Sequence, residues 1–270
     1  MHAEQGQIAH PNGYVLDYLV STPGELSSPY LHVFFHGMSR IKSQNPPVFS
    51  ARKDAVGSLG SICLFFSDPI HRHTADSACG WFLLGEDHFM PAVYRLSEEL
   101  LAQHGLKGVV WHGPSSGGYA AIKYCASSPW DDLAFVVSPH DDPTILRQWR
   151  EEAAPFQELP GMGSPASTSS MMEKWTTAEH GRTLYAIISE NDRYYALHHL
   201  RPILEAAAGH DSVRAAVLRN GLGHGFVAEA DYNSQLGKAV EHWESRRGLA
   251  RCPLPASVQE GARFPGRLPQ

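Results

Sequence analysis

Ser115 stands at the centre of Gly113-Pro114-Ser115-Ser116-Gly117, a G-x-S-x-G pattern. A serine hydroxyl is a weak nucleophile until a base takes its proton. Attack on a carbonyl also needs donors beside the oxygen that becomes negative. The pattern serves that chemistry when the serine sits, strained, on a tight strand-to-helix turn whose flanking positions are almost without side chains. The surroundings have this form: apolar Val109-Val110-Trp111 stops abruptly at glycine, and small residues resume at helical spacing through Ala121. A frame centred on Ser116 would put Pro114 at the first small position, which favours Ser115. A glycine-rich turn of this kind can also cradle a phosphate or carry no chemistry at all, so the rest of the chain must decide.

A base and an acid are available downstream. His224 lies between glycines in Gly221-Leu222-Gly223-His224-Gly225, after the last apolar run, where the backbone can bend to reach the turn. Capping of the next helix is the competing reading of this histidine. The acid that orients it should sit at a strand end between the two in sequence. Asp192 in Ser189-Glu190-Asn191-Asp192 is the first choice, with Glu190 competing from the same loop and Asp141 or Asp142 from the preceding strand end. Each of these carboxylates could instead cap a helix.

The elements that must hold these residues follow from periodicity. Strands are expected over 12–21, 31–35, 61–66, 109–111, 133–137, 184–189 and 213–218. Helices are expected over 87–104, after the serine turn, and over 144–153, 194–208 and 228–244. Such alternation predicts an α/β fold, a doubly wound, mostly parallel sheet covered on both faces. Ligands of such sheets bind beyond the carboxyl ends of the strands. The polar breaks at His36-Gly37, Asp68, Ser115, Asp141-Asp142, Asp192 and His224 all fall at those ends. Residues 155–182, rich in Pro, Gly, Ser and Met, interrupt the rhythm and read as a short inserted cap or lid. One domain is therefore expected over 1–246, followed by a proline-rich, flexible tail over 247–270.

The serine turn, the order Ser115, Asp192, His224, and His36-Gly37 after an early apolar strand together resemble the α/β-hydrolase superfamily over about residues 12–246. The resemblance implies that Met38 and Ser116 supply the oxyanion-binding N–H groups. Pro114 is a departure, since the superfamily seldom places proline before the nucleophile. A Ser-Asp-Pro followed by a tryptophan-bearing segment is also loosely similar to hydrolase-fold proteins of bacterial polysaccharide and glycan-acylation pathways. His36, Gly37, Trp81, Met171 and Met172 are the candidate substrate contacts, the last two lining an apolar acyl pocket if the lid closes. Core packing is the competing reading for Trp81 and the methionines.

These residues imply an acyl-enzyme on Ser115 and a small acyl substrate. The acceptor is water in an esterase or thioesterase, or a hydroxyl or amine in an acyltransferase. A non-catalytic binding module on the same fold is the reading from another class. Composition narrows the partners. With 22 basic against 28 acidic residues, the net charge of −6 provides no basic face for nucleic acid. No run is long enough to span a bilayer, and the opening residues lack the basic and apolar regions of a signal peptide, so a cytoplasmic location is expected. The four cysteines are far apart, and Cys63 and Cys125 read as small buried hydrophobes. His71 and His73 with Asp68 and Asp76 have a metal-like spacing, but serine chemistry needs no metal, and neither metal nor cofactor is expected. Oligomeric state is not legible.

Overall fold

The computed structural model describes residues 2–39, 46–74, 77–176 and 181–247. Asp76, Cys252 and the tail from 248 onward lie outside the described residues. Eight strands form one sheet: β1 (His2–Ala9), β2 (Val15–Thr22), β3 (Leu31–Phe35), β4 (Cys63–Phe66), β5 (Val109–Pro114), β6 (Leu133–Val137), β7 (Thr183–Ser189) and β8 (Val213–Leu218). Their order across the sheet is β1-β2-β4-β3-β5-β6-β7-β8. Strands β3 to β8 are mutually parallel, while β2 runs antiparallel to both β1 and β4. The carboxyl ends of six strands therefore open onto one edge.

Central strands buried on both faces read as continuous apolar runs, and their alternate side chains feed two separate cores. On one face Val109, Trp111, Ala134, Val136 and Ala186 pack with α1 (Glu86–His104) and α2 (Ser115–Ser127). On the other, Val110, Phe135, Val137 and Ile187 meet Tyr232, Leu236 and Trp243 of α3 (Glu229–Arg247). Among the described residues no helix is long and apolar enough to cross a membrane.

Two details differ from the expectation, and the segment read as a cap packs on the core through two of its side chains. Strand β1 has no apolar signal, since HAEQGQIA is almost wholly exposed along an outer edge, and it forms by pairing with β2. The helix expected over 144–153 is broken: Asp142 caps a single turn at Pro143–Ile145, Leu146 is extended, and the helix proper spans Arg147–Glu152. In 155–176, the side chains of Met172 and Trp175 are fully buried in the main core beside Leu200 and Ile203. The segment is docked by its largest side chains, which a hinged cover would have to expose.

The serine turn depends on a close backbone crossing. A Cβ on Gly117 would lie 2.5 Å from the carbonyl oxygens of Phe35 and His36, and one on Gly113 would lie 2.1 Å from the Gly117 carbonyl. Neither obstacle is a flexible side chain. Gly117→Ala is therefore expected to lower unfolding free energy by about 1–3 kcal/mol, the usual range for overpacking. Gly237→Ala, exposed on α3 with nothing near its added methyl, should raise it by about 0.5–1 kcal/mol. Urea unfolding of the two variants checks both signs.

Buried histidines give a second expectation. Burial holds His32 and His199 down at about 4 and His36 at about 3, and it puts His112 and His140 well below the usual histidine range. Unfolding returns each to about 6.5, so the unfolded chain binds more protons below that pH. Their contribution is complete above pH ~6.5 and is lost as pH falls toward 4. Asp132, pushed up to about 6 by burial, and Glu86, also pushed up by burial, act in the opposite direction, two groups against five. The urea midpoint should accordingly fall between pH 7 and pH 5; a midpoint that is flat or rising would contradict this assignment.

Candidate active site

Ser115 is the first residue of α2, directly after β5, and its φ of +54° is one a side-chain-bearing residue seldom adopts. The neighbouring Ser116 is fully buried. Ser115, by contrast, lines a cleft of about 720 Å³ together with His36, Gly37, Met38 and His224.

His224 brings Nε2 to 2.9 Å from Ser115 Oγ and Nδ1 to 2.8 Å from Asp192 Oδ2. A carboxylate only accepts, so His224 carries its proton on Nδ1 and presents a lone pair to the serine, which donates to it. Asp192 is 6% exposed and makes no cap bond to the turn it precedes, leaving its carboxylate for the imidazole. The competing carboxylates are committed elsewhere. Asp141 accepts from Thr168 Oγ1 at 2.9 Å and from the Ser169 N–H at 2.5 Å. Asp142 caps Thr144, and Glu190 is exposed.

A second imidazole lies on the same oxygen. His140 Nε2 is 2.8 Å from Ser115 Oγ, and its Nδ1 accepts the Trp81 indole N–H at 3.0 Å. Tyr195 stacks nearly parallel to His224 with ring centroids 3.5 Å apart and to His140 at 5.3 Å. Tyr195 stands just before a π-helical turn, Ala196–Leu200, of the sort often found at functional sites.

The loop after β3 is held by its own histidine. His36 Nδ1 donates to the Gly37 carbonyl at 2.6 Å, and its Nε2 accepts the Asp68 N–H at 3.0 Å. Since C=O and N–H point opposite ways across a trans peptide, fixing the Gly37 carbonyl also fixes the Met38 N–H. No hydrogen bond from the Met38 or Ser116 backbone N–H is present among the described residues. The Asp68 carboxylate in turn accepts from Ile70, Gly80 and Phe82 N–H groups. It thereby secures Trp81 and Phe82, whose φ values of +53° and +58° are strained for aromatic residues.

Of the predicted substrate contacts, His36 and Gly37 border the cleft, although both His36 ring nitrogens are occupied by backbone. Trp81, Met171 and Met172 lie away from it. Trp81 is 1% exposed in a cluster with Trp149 and Leu146, and its polar edge faces His140. Met172 is inside the main core, with Met171 packed against it. The segment bearing His71 and His73 is helical (Ile70–His73), so their side chains diverge and do not share the strand face the His-x-His spacing suggested. No group of three or more potential metal ligands occurs among the described residues. Sequence reasoning passed over His140 and Tyr195. His140 was within reach, because it stands in Ser138-Pro139-His140-Asp141, one of the polar strand-end breaks already singled out.

No protein-family model and no curated protein matches the sequence. Solved structures do. An esterase domain from a Rhodothermus marinus protein is 16% identical and superimposes with a TM-score of 0.55 over 91% of this chain and 99% of its own. One of two fungal esterases from Rhizomucor miehei is 15% identical, with a TM-score of 0.59 over 92% of this chain and 84% of that one. The capsule O-acetyltransferase of Neisseria meningitidis serogroup A is 11% identical, with a TM-score of 0.52 over 89% and 96%. Likeness at these identities is a matter of architecture, and together with the strand order and the serine turn it establishes that this chain has the α/β-hydrolase fold.

Proposed function

We propose that the protein is a serine hydrolase that works through an acyl-enzyme on Ser115, acting on a carboxylic ester or thioester with a small acyl group. The observation that carries this reading is the unbroken chain Asp192–His224–Ser115, with links of 2.8 and 2.9 Å and only one consistent direction of proton donation. In the first half-reaction Ser115 Oγ attacks the carbonyl carbon as its proton passes to His224 Nε2. Asp192 holds the Nδ1–H and stabilises the imidazolium. The carbonyl electrons move onto oxygen, where the N–H groups of Ser116 and Met38 would receive them. Collapse expels the leaving group, which takes the proton from His224, and an acceptor activated by the same histidine then releases the acyl group.

Water is the simplest acceptor. Transfer to a hydroxyl uses the same residues, and two observations favour keeping it as the second reading. The cleft extends well beyond Ser115, to a wall where the Arg52 guanidinium lies 3.3 Å over the Tyr232 ring. An O-acetyltransferase is also among the similar structures.

Fluorophosphonate labelling with mass-spectrometric mapping tests the common core of both readings. The adduct is expected on Ser115, and Ser115→Ala and His224→Ala should abolish it. Asp192→Asn should slow labelling by about 10³–10⁴-fold, because the amide NH2 can donate to a bare Nδ1 and so favours the wrong tautomer. Failure of the folded protein to label, or an adduct on Ser116, would refute the assignment.

A further inference from the structure

We propose that His140 is a second catalytic histidine, a fixed N–H donor to Ser115 Oγ that never acts as the base, and that Trp81 is the positioning residue that fixes it. The proposal rests on the acyl-enzyme reading of Ser115 and adds to it a role outside the serine–histidine–aspartate set.

The argument is one of donors and acceptors. An indole nitrogen can only donate, so the 3.0 Å contact from Trp81 Nε1 requires a lone pair on His140 Nδ1. A neutral imidazole with a bare Nδ1 carries its hydrogen on Nε2, and that atom lies 2.8 Å from Ser115 Oγ. His140 therefore donates to the serine oxygen, which in turn donates its own hydrogen to His224. Both imidazoles contact Oγ through Nε2, yet Trp81 and Asp192 impose opposite tautomers on them. A protonated His140 would turn an N–H toward the indole N–H. Burial, with His199 and His224 nearby, also keeps the ring neutral.

The location is built rather than incidental. The His140 N–H donates to the Ser115 carbonyl at 3.2 Å, tying the two backbones together. Trp81 is held at positive φ by the Asp68 carboxylate through the amides on either side of it. In the resting site, donation from His140 leaves Oγ oriented with its hydrogen toward His224. During attack the Oγ–H bond breaks, the His224 Nε2–H bond forms, and Oγ bonds to carbon. The His140 N–H bond stays intact throughout and stabilises the negative charge that grows on Oγ before carbon bonding is complete. In deacylation the same N–H polarises Oγ as the carbon–oxygen bond breaks and His224 returns the proton. The gain is largest where charge on Oγ is greatest, which is the requirement for catalysis as opposed to mere binding.

Nitrogen NMR on the full chain with ¹⁵N-labelled histidine, with the His140 signals assigned by difference against His140→Gln, reads the tautomer directly. The expected pattern at neutral pH is a hydrogen-bearing Nε2 and a bare Nδ1 for His140, and the reverse for His224. Trp81→Phe should convert His140 to a mixture of tautomers, a change that a purely packing role for the indole would not produce. In parallel, the rate of fluorophosphonate inactivation should fall by about 10–100-fold in His140→Ala, in line with loss of one preorganised donor. His140→Gln, which retains an N–H, should recover part of it, and Trp81→Phe should lose about three- to tenfold. A hydrogen on His140 Nδ1, or His140→Ala reacting at the wild-type rate, would overturn the proposal while leaving the role of Ser115 intact. Wild-type protein that does not label would overturn both. Should His140→Ala fail to fold, the wild-type spectrum and the Gln and Phe variants still decide.

Discussion

The site depends on a crossing of two backbones that only glycine permits. Where α2 leaves β5, Gly117 passes beneath the carbonyls of Phe35 and His36, and Gly113 lies against Gly117 itself. That proximity leaves Ser115 no room to relax from its left-handed geometry, so the strain at Ser115 is held by contacts two residues away on either side. It also brings the β3 loop and the serine together from parts of the chain nearly eighty residues apart. Both histidines of the site meet at this fixed point, each with Nε2 within 2.9 Å of Ser115 Oγ.

Around that point, support is arranged in layers of polar contacts that end in backbone. Asp192 orients His224, Trp81 orients His140, and His36 fixes the Gly37–Met38 peptide. Asp68 joins two of these layers, giving its N–H to His36 and accepting the amides around Trp81. Such networks are worth most when every member is satisfied, and a single broken link leaves a buried polar group unpaired. Asp68 and the stretch Gly80–Phe82 are thus part of this scaffold.

Legibility in the sequence followed physical cause. Parallel central strands announce themselves because burial on both faces demands unbroken apolar runs, and the serine turn does so because close approach demands glycine. The order Ser115, Asp192, His224 was readable because strand ends converge on one edge of such a sheet. What escaped notice was set by pairing or by distance in three dimensions. Strand β1 is polar and exists through its neighbour, and Leu146 breaks a helix whose composition alone gives no warning. Met172 and Trp175 carry the same apolar character whether they cover a site or fill a core, and only packing separates the two. The position of His140 in a polar strand-end break was visible, but its pairing with a tryptophan fifty-nine residues earlier was not.

The stack of Tyr195 against two near-parallel imidazoles has a consequence for where a proton can rest. An aromatic face close to a cation is attractive, and Tyr195 lies flush on His224, beside a carboxylate. The neighbouring ring of His140, 6.0 Å away and nearly coplanar in tilt, meets an indole N–H where a second carboxylate would be needed. Two imidazoles that share one hydroxyl are thus made unequal, and the cleft has a single parking place for charge. In the proposed reaction a proton leaving the serine has one destination and returns from it, so traffic through the cleft is one-lane in each direction.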